Sequence, residues 1–169
     1  MPSPLPDAEV GLDYSLTLVS GGLPPYTITP IKGVLPEGMT IDPDTGTLKG
    51  KPDIGKATSF TIKVAYQFGP SMTSTYKLVV RKPLLVATTA LKAGTNNKAY
   101  SAKLKATGGK APYAWSELTG NLVGTGLMLD SATGAITGMP AAGASLNLTF
   151  KVRDALGGEQ QEDFLLTIN

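Results

Sequence analysis

The chain repeats itself. Tyr26, in Gly21-Gly22-Leu23-Pro24-Pro25-Tyr26, finds Tyr113 in Gly108-Gly109-Lys110-Ala111-Pro112-Tyr113, 87 residues further on. Gly38-Met39-Thr40-Ile41-Asp42 matches Gly126-Leu127-Met128-Leu129-Asp130 at an offset of 88. The offset holds for Thr45-Gly46 with Thr133-Gly134, Gly50-Lys51-Pro52 with Gly138-Met139-Pro140, and Tyr76-Lys77-Leu78 with Phe164-Leu165-Leu166. A period of this length is a whole small domain, not a solenoid turn. Two tandem domains are therefore expected, over residues 1–82 and 83–169, and the 169 residues suffice for both.

Within each copy the apolar residues alternate. Tyr14, Leu16 and Leu18 share one face of a strand, as do their counterparts Tyr100, Ala102 and Leu104, at an offset of 86. Phe60, Ile62 and Val64 match Leu148, Phe150 and Val152, and Tyr76, Leu78 and Val80 match Phe164, Leu166 and Ile168. Period-two patterning rich in aromatic and β-branched residues marks half-buried strands, and Phe60, Ile62, Val64, Tyr76 and Leu78, with Leu148, Phe150, Val152, Phe164 and Leu166, are the expected cores. No segment carries an apolar stripe of helical period. Glycine (20) and proline (13) are plentiful, and they fall between the strands as turn residues. Asp42 and Asp130 each open a tight reversal closed by Gly46 or Gly134, where a carboxylate can cap backbone N–H groups. About seven short strands per copy read as an all-β, two-sheet sandwich.

At these residues the chain resembles the immunoglobulin-like repeats of bacterial surface proteins, related to dystroglycan-type cadherin-like domains. That pattern runs Gly-Gly, Pro-Tyr, Leu-Pro-x-Gly-Leu, Asp-x-x-Thr-Gly and Gly-x-Pro. The first copy has Leu35-Pro36-Glu37-Gly38-Met39, Asp42-Pro43-Asp44-Thr45-Gly46 and Gly50-Lys51-Pro52. The second loses the proline, reading Val123-Gly124-Thr125-Gly126-Leu127, but keeps Thr133-Gly134 and Gly138-Met139-Pro140. The resemblance implies tandem Ig-like or cadherin-like sandwiches. Such folds host many functions, so the site chemistry is argued separately.

Composition excludes several classes of chemistry. Cysteine and histidine are both absent, which removes a thiol nucleophile, a disulfide framework, a Cys-type zinc site and the Ser-His-Asp triad. Residues 1–80 carry six Lys and seven acids, Arg81 and Lys82 follow, and residues 83–169 carry six Lys, one Arg and six acids. Neither copy has the basic excess of a nucleic-acid binder. No run approaches the roughly 20 apolar residues of a membrane-spanning helix. No secretion signal is visible at the start, so the expected extracellular, cell-surface location places that signal outside this chain.

Five candidate sites stand against that background. Asp154, Glu159, Glu162 and Asp163 are the candidate ligands for calcium, the one cofactor considered. They cluster near the last hairpin, whereas the junction is basic and Asp154 aligns with Tyr66, so no site is repeated. Asp42 and Asp44 form a conceivable carboxylate pair, but Asp130 reproduces the first of them, which favours turn chemistry over catalysis. Asn96, Asn97, Asn121, Asn147 and Asn169 are conceivable acceptors for a lysine isopeptide bond, and Asn147-Leu148-Thr149 is formally a glycosylation sequon. Lys103, Lys105 and Lys110, with Lys92 and Lys98 flanking, form a basic stripe that would meet an anionic glycan or surface polymer; alternatively it is a solvated edge. Trp115 aligns with Ile28 at an inward position, where core packing is favoured over a sugar platform.

The expected function is a non-catalytic surface module, an adhesive unit or stalk whose short linker through Pro83 limits bending. Expected partners are a protein or glycan at a cell surface and neighbouring repeats of a longer chain, with no nucleic acid and no membrane insertion. The alternatives are a carbohydrate-binding accessory to a secreted enzyme and a structural domain of a phage virion.

Overall fold

In the computed structural model, residues 4–21, 26–65 and 69–169 are described. The chain divides into two compact units, Met1–Pro83 and Leu84–Asn169. The division falls one residue beyond the boundary read from the repeat. Pro83 closes the first unit, and Leu84 is buried in the core of the second. The described residues contain no helix, and so none long and apolar enough to cross a membrane.

The described residues of the first unit form seven strands: β1 (Ala8–Glu9), β2 (Tyr14–Thr17), β3 (Thr27–Lys32), β4 (Met39–Asp42), β5 (Thr47–Gly50), β6 (Ala57–Ala65) and β7 (Met72–Arg81). One sheet runs β1-β7-β6-β3 and the other β2-β5-β4. All neighbours are antiparallel except β1 and β7, which pair in parallel with Ala8 opposite Val80. The alternation predicted from sequence is what closes the core. Phe60, Ile62, Val64, Tyr76, Leu78 and Val80 are buried, joined from the other sheet by Leu48 and Met39. Phe60 and Tyr76 face each other in register with ring centroids 5.7 Å apart, and the Tyr76 hydroxyl donates to the Leu18 carbonyl at 3.2 Å.

The second unit holds eight: β8 (Leu85–Val86), β9 (Tyr100–Lys103), β10 (Ala106–Thr107), β11 (Ala114–Glu117), β12 (Leu127–Leu129), β13 (Ala135–Gly138), β14 (Ala144–Arg153) and β15 (Glu159–Ile168). Sheets β11-β14-β15 and β12-β13-β9 repeat the two layers of the first unit. The first strand behaves differently. It begins as β8, antiparallel to β10. It then crosses to the other sheet, where Gly94 bridges Ile168 in parallel and accepts the Asn169 N–H. The core is Leu148, Phe150, Val152, Phe164, Leu166 and Ile168 against Tyr100, Leu104, Leu127 and Ile136. The aromatic on the central strand has moved two residues along, from the Phe60 position to that of Ile62. Phe150 therefore meets Phe164 diagonally, at 5.9 Å between centroids.

One glycine pair shows why both copies share turn chemistry. Gly50 and Gly138 have φ of 135° and 144°, and a Cβ there would lie 2.3 Å and 2.0 Å from the carbonyl oxygens of Gly38 and Gly126. Only glycine lets the two backbones approach so closely.

Candidate functional site

The acidic candidates do not converge. Asp154 is 5 % exposed and sits in the turn between β14 and β15. Its Oδ1 accepts the N–H groups of Leu156 and Gly158, at 2.9 and 2.8 Å. Its Oδ2 accepts the Lys110 N–H at 2.6 Å, and the Ala155 N–H returns a bond to the Lys110 carbonyl at 2.8 Å. The carboxylate thus ties the β10–β11 loop to the β14–β15 turn. Gly109 admits it, because a Cβ there would stand 2.3 Å from Oδ2. Glu159 pairs with Lys151 at 3.4 Å and Arg153 at 3.8 Å. Asp163 accepts from the Thr149 hydroxyl at 2.6 Å, and Glu162, one residue away, projects to the opposite side of the strand. Among the described residues no three metal-ligating side chains gather at one point.

Asp42 and Asp130 do equivalent work in the two copies. Asp42 Oδ1 accepts the N–H groups of Asp44 (2.9 Å) and Thr45 (3.2 Å); Asp130 Oδ1 accepts those of Ala132 (2.9 Å) and Thr133 (3.0 Å). Both carboxyls titrate below the usual aspartate range. The Lys49 ammonium, 2.6 Å from Oδ2, is the main cause for Asp42, followed by the Asp44 N–H. For Asp130 the Thr133 and Ala132 N–H groups are the main causes. These acids hold turns, and Asp42 is not free to pair with Asp44 for acid–base work. Among the asparagines, Asn121 Nδ2 donates to the Asn147 carbonyl at 2.7 Å, and Asn96 and Asn97 hold the turn before β9 through their backbones. Trp115 is 4 % exposed, opposite Val152 within the second core, so its ring offers no platform to a sugar.

The basic candidates separate into two places. Lys110 belongs to the loop that Asp154 holds. Lys103 and Lys105 flank buried Leu104 and are exposed. Together with Lys92 they line an open groove of about 440 Å³ between residues 88–92 and β9, whose lining also includes Thr88, Ser101 and Leu91. The Lys105 N–H donates to the Thr88 hydroxyl at 2.8 Å and the Ala87 N–H to the Lys105 carbonyl at 2.8 Å, which fixes the groove's two walls to each other. Sequence spacing paired Lys103 with Lys105. Lys92, read as a flank of that stripe, lines the same groove as the pair, whereas Lys110, grouped with the stripe, does not.

A family model described as "Putative Ig domain" matches residues 2–81 and again 82–169. No curated protein matches the chain. Among solved structures, an I-band fragment of titin is similar over 99 % of this chain and 63 % of its own, at 16 % identity and a TM-score of 0.56. The extracellular domains 3–5 of Drosophila OTK are similar over 100 % of this chain and 61 % of theirs, at 14 % identity and 0.55. Immunoglobulin domains 1–4 of Sidekick-1 follow at 13 % identity, 96 % and 46 % coverage and 0.51. The chain spans less than two thirds of each of these structures, and at such identities the likeness is one of fold: tandem Ig-like sandwiches.

Proposed function

The chain belongs to the Ig-domain family whose model matches both of its halves, and from that premise we propose that it is a non-catalytic, extracellular module of a larger surface protein, serving as stalk segment and adhesive unit. The observation that carries the reading is the direction of the terminal strands. In each unit the first strand ends parallel to the last, at Ala8–Val80 in one and Gly94–Ile168 in the other. Parallel neighbours run the same way, so each unit takes the chain in at one end and releases it at the other. A unit wired like this can be inserted serially into a longer chain. Tension on its two ends would load the terminal ladder bonds in shear, all together, instead of peeling them one by one. The side-chain chemistry agrees with a passive role: Asp42, Asp130 and Asp154 are engaged in turns, and Trp115 is packed in a core.

Single-molecule stretching between the two ends tests this. A spacer gives two separate resisted unfolding events. Each releases somewhat under ~300 Å of chain, the extended length of 83 or 86 residues. Extension without resisted events would overturn the stalk reading.

A further inference from the structure

The second repeat carries a charge pattern that its framework does not need. From Leu84 to Ser116 there are five lysines and no acid. Lys110 lies beside Asp154, and Glu159 on β15 is offset by Lys151 and Arg153 on β14, whereas three of the five lysines, Lys92, Lys103 and Lys105, line one groove. Among the described residues none of these three ammonium groups has a carboxylate within ion-pair distance. Asp130 lies near enough to Lys103 to feel its charge, but its own Oδ1 is held by the turn.

The first copy supplies the comparison. At the offset of 86 that aligns Tyr14 with Tyr100, Lys92, Lys103 and Lys105 correspond to Pro6, Thr17 and Val19. The same backbone position is uncharged there, so the lysines are not required by the sandwich.

We propose that the groove of Lys92, Lys103 and Lys105 binds a linear anionic polysaccharide bearing sulfate or carboxylate groups. Lys103 and Lys105 stand two residues apart on an extended segment, about 7 Å along the chain, so successive anionic groups of one strand can meet successive ammonium groups. Ammonium groups act as point charges and place no planar demand on the anion, which suits sulfate esters and uronates alike. The Ser101 and Thr88 hydroxyls and the small apolar lining of Ala90, Leu91 and Ala102 suit the remaining face of a sugar ring. No aromatic side chain lines the groove. A single-stranded nucleic acid, the other common polyanion, would find no stacking surface. The inference deepens the adhesive half of the surface-module reading, but the stretching experiment can succeed while this one fails.

The test uses the full chain, heparin as sulfated probe, polygalacturonate as carboxylate probe, dextran as neutral control and an oligothymidylate as nucleic-acid control. Binding is measured by calorimetry at 50 and 150 mM salt. Heparin or polygalacturonate should bind more weakly at the higher salt, as exposed charges are screened, and dextran should not bind. Lys92→Gln/Lys103→Gln/Lys105→Gln should lower affinity at least tenfold with an unchanged melting temperature. The matched first-repeat set, Lys32→Gln/Lys63→Gln/Lys77→Gln, should change it less than twofold. Amide chemical-shift changes in the unmodified chain should centre on residues 88–92 and 101–105. Unaltered binding by the groove variant, an equal loss in the matched set, shifts centred elsewhere, or equally tight lysine-dependent binding of the oligothymidylate would each overturn the proposal.

Discussion

Asp154 Oδ2 accepts the backbone N–H of Lys110 at 2.6 Å, across 44 residues of sequence. With Oδ1 serving Leu156 and Gly158, one buried carboxylate satisfies three backbone donors in two loops. Asp154→Ala would leave these donors without it, at about 1–3 kcal/mol for each that stays buried and unsatisfied. We expect a loss of about 2–4 kcal/mol of the second unit's stability in denaturant titration, with the first unit's transition unmoved. A loss under ~0.5 kcal/mol would show that water replaces the carboxylate at no cost.

Phe150 is fully buried and meets Phe164 across the sheet. Phe150→Ala removes its transfer energy and leaves a cavity, so it should cost about 3–5 kcal/mol. Equilibrium unfolding checks this, and a loss well under 1 kcal/mol would mean that the strand face is not the core.

Much of this fold was readable in advance, for a physical reason. Strands that bury one face must alternate, and two copies in one chain mark the same inward positions twice, as Tyr76 and Phe164 or Leu78 and Leu166 show. Turn chemistry was equally local: Asp42 and Asp130 reach N–H groups only two and three residues on. What stayed hidden depends on distant pairings. The sheet switch from β8 to Gly94 is made by pieces too short to alternate. The engagement of Asp154 with Lys110 joins loops that share no sequence pattern. Asp154, weighed as a calcium candidate with no metal favoured, and Lys110, grouped with the basic stripe, lie side by side in one hydrogen-bonded corner, and neither lines the lysine groove.

Acid should destabilise both units through Asp42 and Asp130. Their folded carboxyls titrate below the unfolded value, so the ionised form is favoured in the fold. The stability they contribute is present above the unfolded pKa, about 3.9, and is lost as pH falls through the lower folded values. Melting temperature followed from pH 6 to 2.5 should therefore fall below about pH 4. In Asp42→Asn/Asp130→Asn that fall should be shallower. An identical acid slope in the double variant would contradict the assignment.

Calcium should leave stability unchanged. A ligand a hundredfold above its Kd would add about 2.7 kcal/mol, enough to raise melting by several degrees in a unit of this size. Asp154 is held by three N–H groups, Glu159 is turned to Lys151 and Arg153, and Glu162 and Asp163 point apart. Melting curves in millimolar calcium and in excess EDTA should superimpose. A calcium-dependent rise of more than a few degrees would contradict this and make Glu159 and Asp163 the first residues to change.

The account rests on each repeat being complete: its own two sheets, its own core and its own parallel terminal pairing, with the division between Pro83 and Leu84. The direct measurement is thermal and denaturant unfolding of residues 1–83 and 84–169 expressed separately, set beside the whole chain. Each half should be soluble and β-rich, and each should unfold in a single cooperative transition. If either half is unfolded on its own under conditions where the full chain is folded, the two-module account is wrong.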